Sequence, residues 1–77
     1  MVINIQRIYA TDVDIHYCSE VDMHYYSEDG YVLCRQDYGN MDSITKRVSE
    51  IMVNHNFTYC DVCSEETGEV LMTFERS

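Results

Sequence analysis

Val21-Asp22-Met23-His24-Tyr25-Tyr26-Ser27-Glu28-Asp29-Gly30-Tyr31-Val32-Leu33 decides the fold of this chain. Val21, Met23 and Tyr25 alternate with Asp22, His24 and Tyr26, which is the two-residue period of a strand with one buried face. The adjacent Tyr25-Tyr26 pair must therefore divide between the two faces, so that one phenol points outward. Glu28-Asp29-Gly30 interrupts the alternation with acidic residues and a glycine that reaches positive φ at little cost, and β-branched and aromatic residues resume after it. The stretch predicts a β-hairpin over about residues 21–36.

Working toward the N-terminus, Val13-Asp14-Ile15-His16-Tyr17-Cys18-Ser19-Glu20 repeats the pattern of Val21 to Glu28 with only Ile/Met and Cys/Tyr differing. Two copies of eight residues cannot stack as a solenoid, so the first copy reads as duplicated strand material. If the copies pair, His16 and His24 meet on one face with Asp14 and Asp22. A further strand is expected over about residues 2–9, where Ile3 and Ile5 share a face with Tyr9.

Toward the C-terminus, Ser64-Glu65-Glu66-Thr67-Gly68-Glu69-Val70-Leu71 echoes the acidic, glycine-bearing connection of residues 27–33 and predicts a second hairpin over about 57–75. Gly39, the third glycine, also reads as a turn. Between the hairpins, Met41, Ile44, Val48, Ile51 and Met52 fall at spacings of three and four. This single apolar stripe predicts a helix over about 42–54. Asn40 or Asp42 can cap its start, Lys46 and Arg47 lie on its polar side, and Asn54-His55-Asn56 offers a left-handed stop. The expected architecture is one α+β domain over 1–77: an antiparallel sheet of about five strands with one helix packed on one face. One helix cannot cover both faces, so the other must be polar or used for binding.

Charge narrows the function. Fourteen acidic residues against five basic ones give a formal charge of −9, and Lys46 is the only lysine. That charge repels nucleic acid and anionic membranes. No apolar run exceeds a few residues, so nothing in the sequence spans a bilayer. Met1 to Tyr9 lacks the basic start and apolar core of a signal peptide, so the expected location is a cytosol, where the four cysteines remain thiols.

Between Asp12 and Asp29 there is no Lys or Arg. Asp14, Asp22, Glu28 and Asp29 stand among the tyrosines Tyr26 and Tyr31, and Glu65 and Glu66 surround the second turn. Carboxylates interleaved with tyrosines can steer toward Arg and Lys, and then add stacking and hydrogen bonds after docking. A solubilising face is the plainer reading of the same charge. Cys60-Asp61-Val62-Cys63 has the spacing of half a zinc site, with further ligands to be drawn from Cys18, His16, His24 or Cys34. The ordinary reading is two small strand residues facing opposite sides. No nucleophile stands at a recognisable spacing from a base, so no enzyme and no cofactor is expected.

This profile resembles the small acidic phage-borne inhibitors, such as anti-CRISPR proteins and DNA-mimic antirestriction proteins. The resemblance is carried by the lysine-free acidic run from Asp12 to Asp29, the acidic turn from Glu65 to Glu69, and the tyrosines among them. It implies a binding protein in the host cytosol that occupies a basic surface on a nucleic-acid-handling complex of host defence. Charged residues make up 25% of the chain, which is below the density of strict duplex mimics, so a protein surface is the expected target. Homodimerisation through sheet edges is a further expectation, since no proline guards them.

Overall fold

A computed structural model describes residues 4–77, and of Tyr9 the backbone alone. It contains β1 (Ile5–Ala10), β2 (Ser19–Ser27), β3 (Gly30–Gly39), α1 (Met41–Asn54), β4 (Tyr59–Ser64) and β5 (Val70–Arg76). The strands form one five-stranded sheet in the order β1-β5-β4-β2-β3. All neighbours are antiparallel. This is the α+β architecture that the alternation and the apolar stripe predict. Among the described residues no helix is long and apolar enough to cross a membrane.

One face of the sheet carries the core. Val21, Met23 and Tyr25 of β2, Cys60 and Val62 of β4, and Met72 and Phe74 of β5 pack beneath Met41, Ile44, Val48 and Met52 of α1. Each large apolar side chain removed from water there stabilises the fold by about 1.5–3 kcal/mol. Tyr25 is fully buried and stacks on Phe57 at 5.1 Å between ring centroids. Burial pushes its phenol far above the ordinary tyrosine range, so it stays protonated.

Two glycines supply the turns expected of them: Gly30 has φ +121° and Gly68 has φ +76°. Gly39 does not make a turn. It ends β3, where a Cβ would lie 2.6 Å from Ser43 Oγ, so the position demands close approach to α1.

The first repeat copy is not a strand. Residues 11–18 form the connection from β1, at one edge, to β2, three strands away. Tyr17 N–H donates to the Asp14 carbonyl, and Met41 N–H of α1 donates to the Ile15 carbonyl. Both copies alternate equally well, but no glycine separates them, so no tight turn folds one onto the other. Copy two gains β3 through Asp29-Gly30 and β4 from across the core, and that fills both of its edges. The predicted meeting of His16 with His24 is therefore absent. In the N-terminal strand, Ile3 lies outside the described residues. Ile5 is partly buried against the core, and the pairing with β5 shifts between Arg7 and Tyr9.

The helix starts as predicted, with the Asn40 side chain accepting from Ser43 N–H at 2.9 Å. Its end differs from expectation. Among the described residues none but glycine has positive φ, and His55 is extended, so no left-handed stop forms. Arg76 of β5 terminates the helix instead, donating to the carbonyls of Met52, His55 and Phe57. A single guanidinium satisfies three carbonyls of the helix end and the chain following it. Arg76→Met keeps the aliphatic stem and removes those donors. It is expected to cost about 2 kcal/mol, lowering the melting temperature by on the order of 10 °C. An unchanged thermal unfolding curve would mean that water serves these carbonyls equally well.

Candidate interaction surface

Among the described residues no helix lies over the second face of the sheet, and the strand register determines what it presents. Asp22, His24 and Tyr26 of β2 point away from the core, because Val21, Met23 and Tyr25 point into it. Directly opposite them on β4 stand Cys63, Asp61 and Tyr59. On β3 the opposite residues are Gln36, Cys34 and, after a register shift, Tyr31. The face is thus a grid of cross-strand rows: Tyr31–Tyr26–Tyr59, then Cys34–His24–Asp61, then Gln36–Asp22–Cys63.

The tyrosine row makes contact along its length. Tyr26 meets Tyr31 edge-on at 5.7 Å and Tyr59 edge-on at 5.4 Å, and His24 lies 5.9 Å from Tyr31. Edge-to-face contacts of this kind are favourable because the positive ring edge meets the negative ring face. The phenols of Tyr26 and Tyr59 are raised above their ordinary range, first by partial burial, with Asp61 beside them adding to it. They remain hydrogen-bond donors at physiological pH.

The carboxylates on this face differ in how fully they are engaged. Asp61 Oδ1 accepts from the Thr73 hydroxyl at 2.9 Å. Asp22 Oδ1 is buried from solvent and has no hydrogen-bond partner among the described residues. Glu20 continues the line of Asp22 and faces Tyr38 across the β2–β3 pair. At that end of the sheet, Glu65 N–H donates to the Glu20 carbonyl at 3.2 Å. The Glu20 carboxyl beside it raises the Glu65 carboxyl above the usual range. Glu20, Glu65, Glu66, Tyr17 and Tyr38 line a groove of about 530 Å³.

Lys and Arg are absent from the face. Arg7 stands opposite Phe74, Arg76 opposite Ile5 and Arg35 opposite Met23, all positions of the helix side. Lys46 and Arg47 are on α1, where Arg47 pairs with Asp37. All five cations of the chain therefore belong to the helix layer or its side of the sheet.

Of the residues singled out in the sequence, Asp22, Tyr26 and Tyr31 come together on the open face. Glu28 and Asp29 sit at the exposed β2–β3 turn beside the tyrosine row, where Asp29 N–H donates to Ser27 Oγ. Glu65 and Glu66 form the far acidic end. Asp14 is separate: its carboxylate accepts from His16 N–H at 2.9 Å within the connecting loop. Tyr59, Asp61 and Glu20 were not among the site residues chosen from the sequence, and only the pairing of β4 with β2 brings the first two to this face.

The cysteine alternative is corrected by the same register. Cys60 is fully buried under the helix, whereas Cys63 lies on the opposite face next to Asp22, so the two thiols cannot share a metal. Cys18 and His16 are exposed in the loop. Among the described residues no group of three or more His, Cys, Asp or Glu is arranged to hold a metal ion. All four cysteines are free thiols. Burial pushes the Cys60 thiol far above its ordinary range, and reactivity follows thiolate population and access. Thiol titration of the native protein is therefore expected to label Cys18 and Cys34 first and Cys60 only on unfolding. Early labelling of Cys60 would contradict the core described above.

Comparison of the chain with family models, with curated proteins and with solved structures found no match.

Proposed function

We propose that this protein is a non-enzymatic binding module that blocks a basic protein surface on a nucleic-acid-handling complex. The observation that supports this reading is the confinement of Lys and Arg to one side, since carboxylates stand on the helix side too, at Asp37, Asp42 and Glu50. A solubilising role asks only that carboxylates be spread over the surface. Here Asp22, Asp61 and Glu20 share the uncovered face with three contacting tyrosines, and every Lys and Arg is elsewhere. Such a field steers a cationic partner in, and the tyrosines add contact area at little cost in side-chain entropy. One sheet face is enough for a standard interface of about 800 Å² per partner. The resemblance to phage-borne inhibitors of host defence agrees with this reading, which makes the binding stoichiometric, in a host cytosol, with neither nucleic acid nor membrane as the direct target.

The test is capture from a nuclease-treated bacterial lysate on immobilised protein. A nucleic-acid-binding complex is expected, released by raising salt and displaced by added DNA or RNA. A bound protein that resists both treatments would contradict the proposal.

Self-association is the second reading, favoured by β3. This ten-residue edge strand exposes Tyr31, Val32 and Leu33. Its far end is closed, however: Tyr38 N–H donates to Asp37 Oδ1, and the Tyr38 carbonyl accepts from Arg47. Sedimentation at increasing concentration separates a monomer from an edge-paired dimer.

A further inference from the structure

The occupant of the open face can be specified beyond its sign of charge, on the reading just given. We propose that the face is built to receive one arginine-bearing amphipathic helix laid along β2, its guanidinium groups over Glu20 and Asp22 and an apolar side chain against the tyrosine row.

Dimensions support a helix. Strands stand about 4.8 Å apart, so a helix about 10 Å across covers the three strands β3, β2 and β4 that carry the tyrosines. The same sheet already seats α1 on its other face, so its twist suits a helix. Alternate residues along a strand rise by about 6.7 Å, and four residues of a helix rise by about 6 Å. Glu20, Asp22, His24 and Tyr26 therefore stand at intervals of nearly one helical turn. Arginines at positions i and i+4 match Glu20 and Asp22. A stripe that stays on one side of the helix advances about 5.4 Å per turn, so the accumulated mismatch at Tyr26 is about 4 Å, within the reach of long side chains.

Chemistry supports arginine. Asp22 is a half-buried carboxylate on this face, with no hydrogen-bond partner for Oδ1 among the described residues, and a guanidinium supplies forked donors to a carboxylate while its plane stacks on a phenol ring. Other occupants fit less well. An added strand meets the closed end of β3 at Tyr38, and at β1 it meets a register shift and Arg7. Nucleic acid is repelled by the charge of the face. Arginine-rich helices are themselves a common device for gripping nucleic acid. A protein that sequesters such a helix would remove the partner's grip without touching the nucleic acid.

The experiment measures binding of three synthetic peptides of equal charge and about 20 residues. One is helical with arginines at i and i+4 and leucine on the same stripe. The second places the same residues around all sides of the helix, and the third breaks the first with central prolines. The striped helix is expected to bind at least tenfold tighter than either control, and Tyr26→Ala or Asp22→Asn should erase that preference. Both residues lie outside the core, and Tyr31→Ala provides a third variant at the exposed edge. Equal binding of all three peptides overturns the helix assignment and leaves the basic-surface reading standing. A preference untouched by all three substitutions also overturns it, by placing the helix elsewhere. Binding of none removes both.

Discussion

Tyr25→Ala is expected to unfold most of the population at room temperature. The ring is fully buried between β2, β4 and Phe57. Truncating such a side chain removes its transfer free energy and leaves a cavity, at a cost of about 3–5 kcal/mol. A chain of 77 residues has a total of about 4–12 kcal/mol to lose. A domain this small lies toward the lower end of that range, where the substitution consumes most of the stability or all of it. Tyr25→Phe is the control: it keeps the ring and gives up only the contact of the hydroxyl with Met23 Sδ at 3.7 Å. Urea denaturation followed by circular dichroism should show a near-native midpoint for Phe and little or no folded baseline for Ala. Equal midpoints would mean that the helix does not press the sheet here.

The second large effect is on binding. Reversing Asp22 and Glu28 to Lys places two cations on a face that has none and removes two carboxylates. Affinity for a basic partner should fall at least tenfold, about 1.4 kcal/mol, and the dependence of association on salt should weaken with it. The fold should survive. Asp22 faces Gln36 and Cys63 across the strands, Glu28 is exposed in a turn, and neither carboxylate has an ion-pair partner among the described residues. Titration of the variant against the captured partner at low and high salt gives the answer. An affinity equal to that of the unmodified protein would remove Asp22 and Glu28 from the interface.

How much of this could be read in the chain depends on the range of the forces involved. The hairpin at Glu28-Asp29-Gly30 and the helix of Met41, Ile44, Val48 and Met52 were legible because alternation, stripe and turn chemistry are local. The fate of the first repeat copy was not. Its alternation is as good as that of the second, and the absence of a glycine between them, together with the two filled edges of β2, decides against it. The helix end was misread for a similar reason: Asn54-His55-Asn56 offers a local stop, but Arg76 from the last strand supplies the partners. The site divides in the same way. Tyr26 and Tyr31 flank one turn and were visible as neighbours. Tyr59 and Asp61 reach them only through the register of β4 against β2, which joins residues more than thirty positions apart. The Cys60/Cys63 spacing suggested a chelating pair, but along a strand a separation of three residues puts the thiols on opposite faces.

Amide chemical-shift mapping of the labelled protein, with the captured partner or the arginine-striped peptide added, tests the central claim most directly. Perturbations concentrated on residues 20–26 of β2, 59–63 of β4 and the Tyr31 end of β3, with α1 silent, are the expected result. Perturbations centred on α1 would place the interface on the face that carries the cations, and would contradict the account.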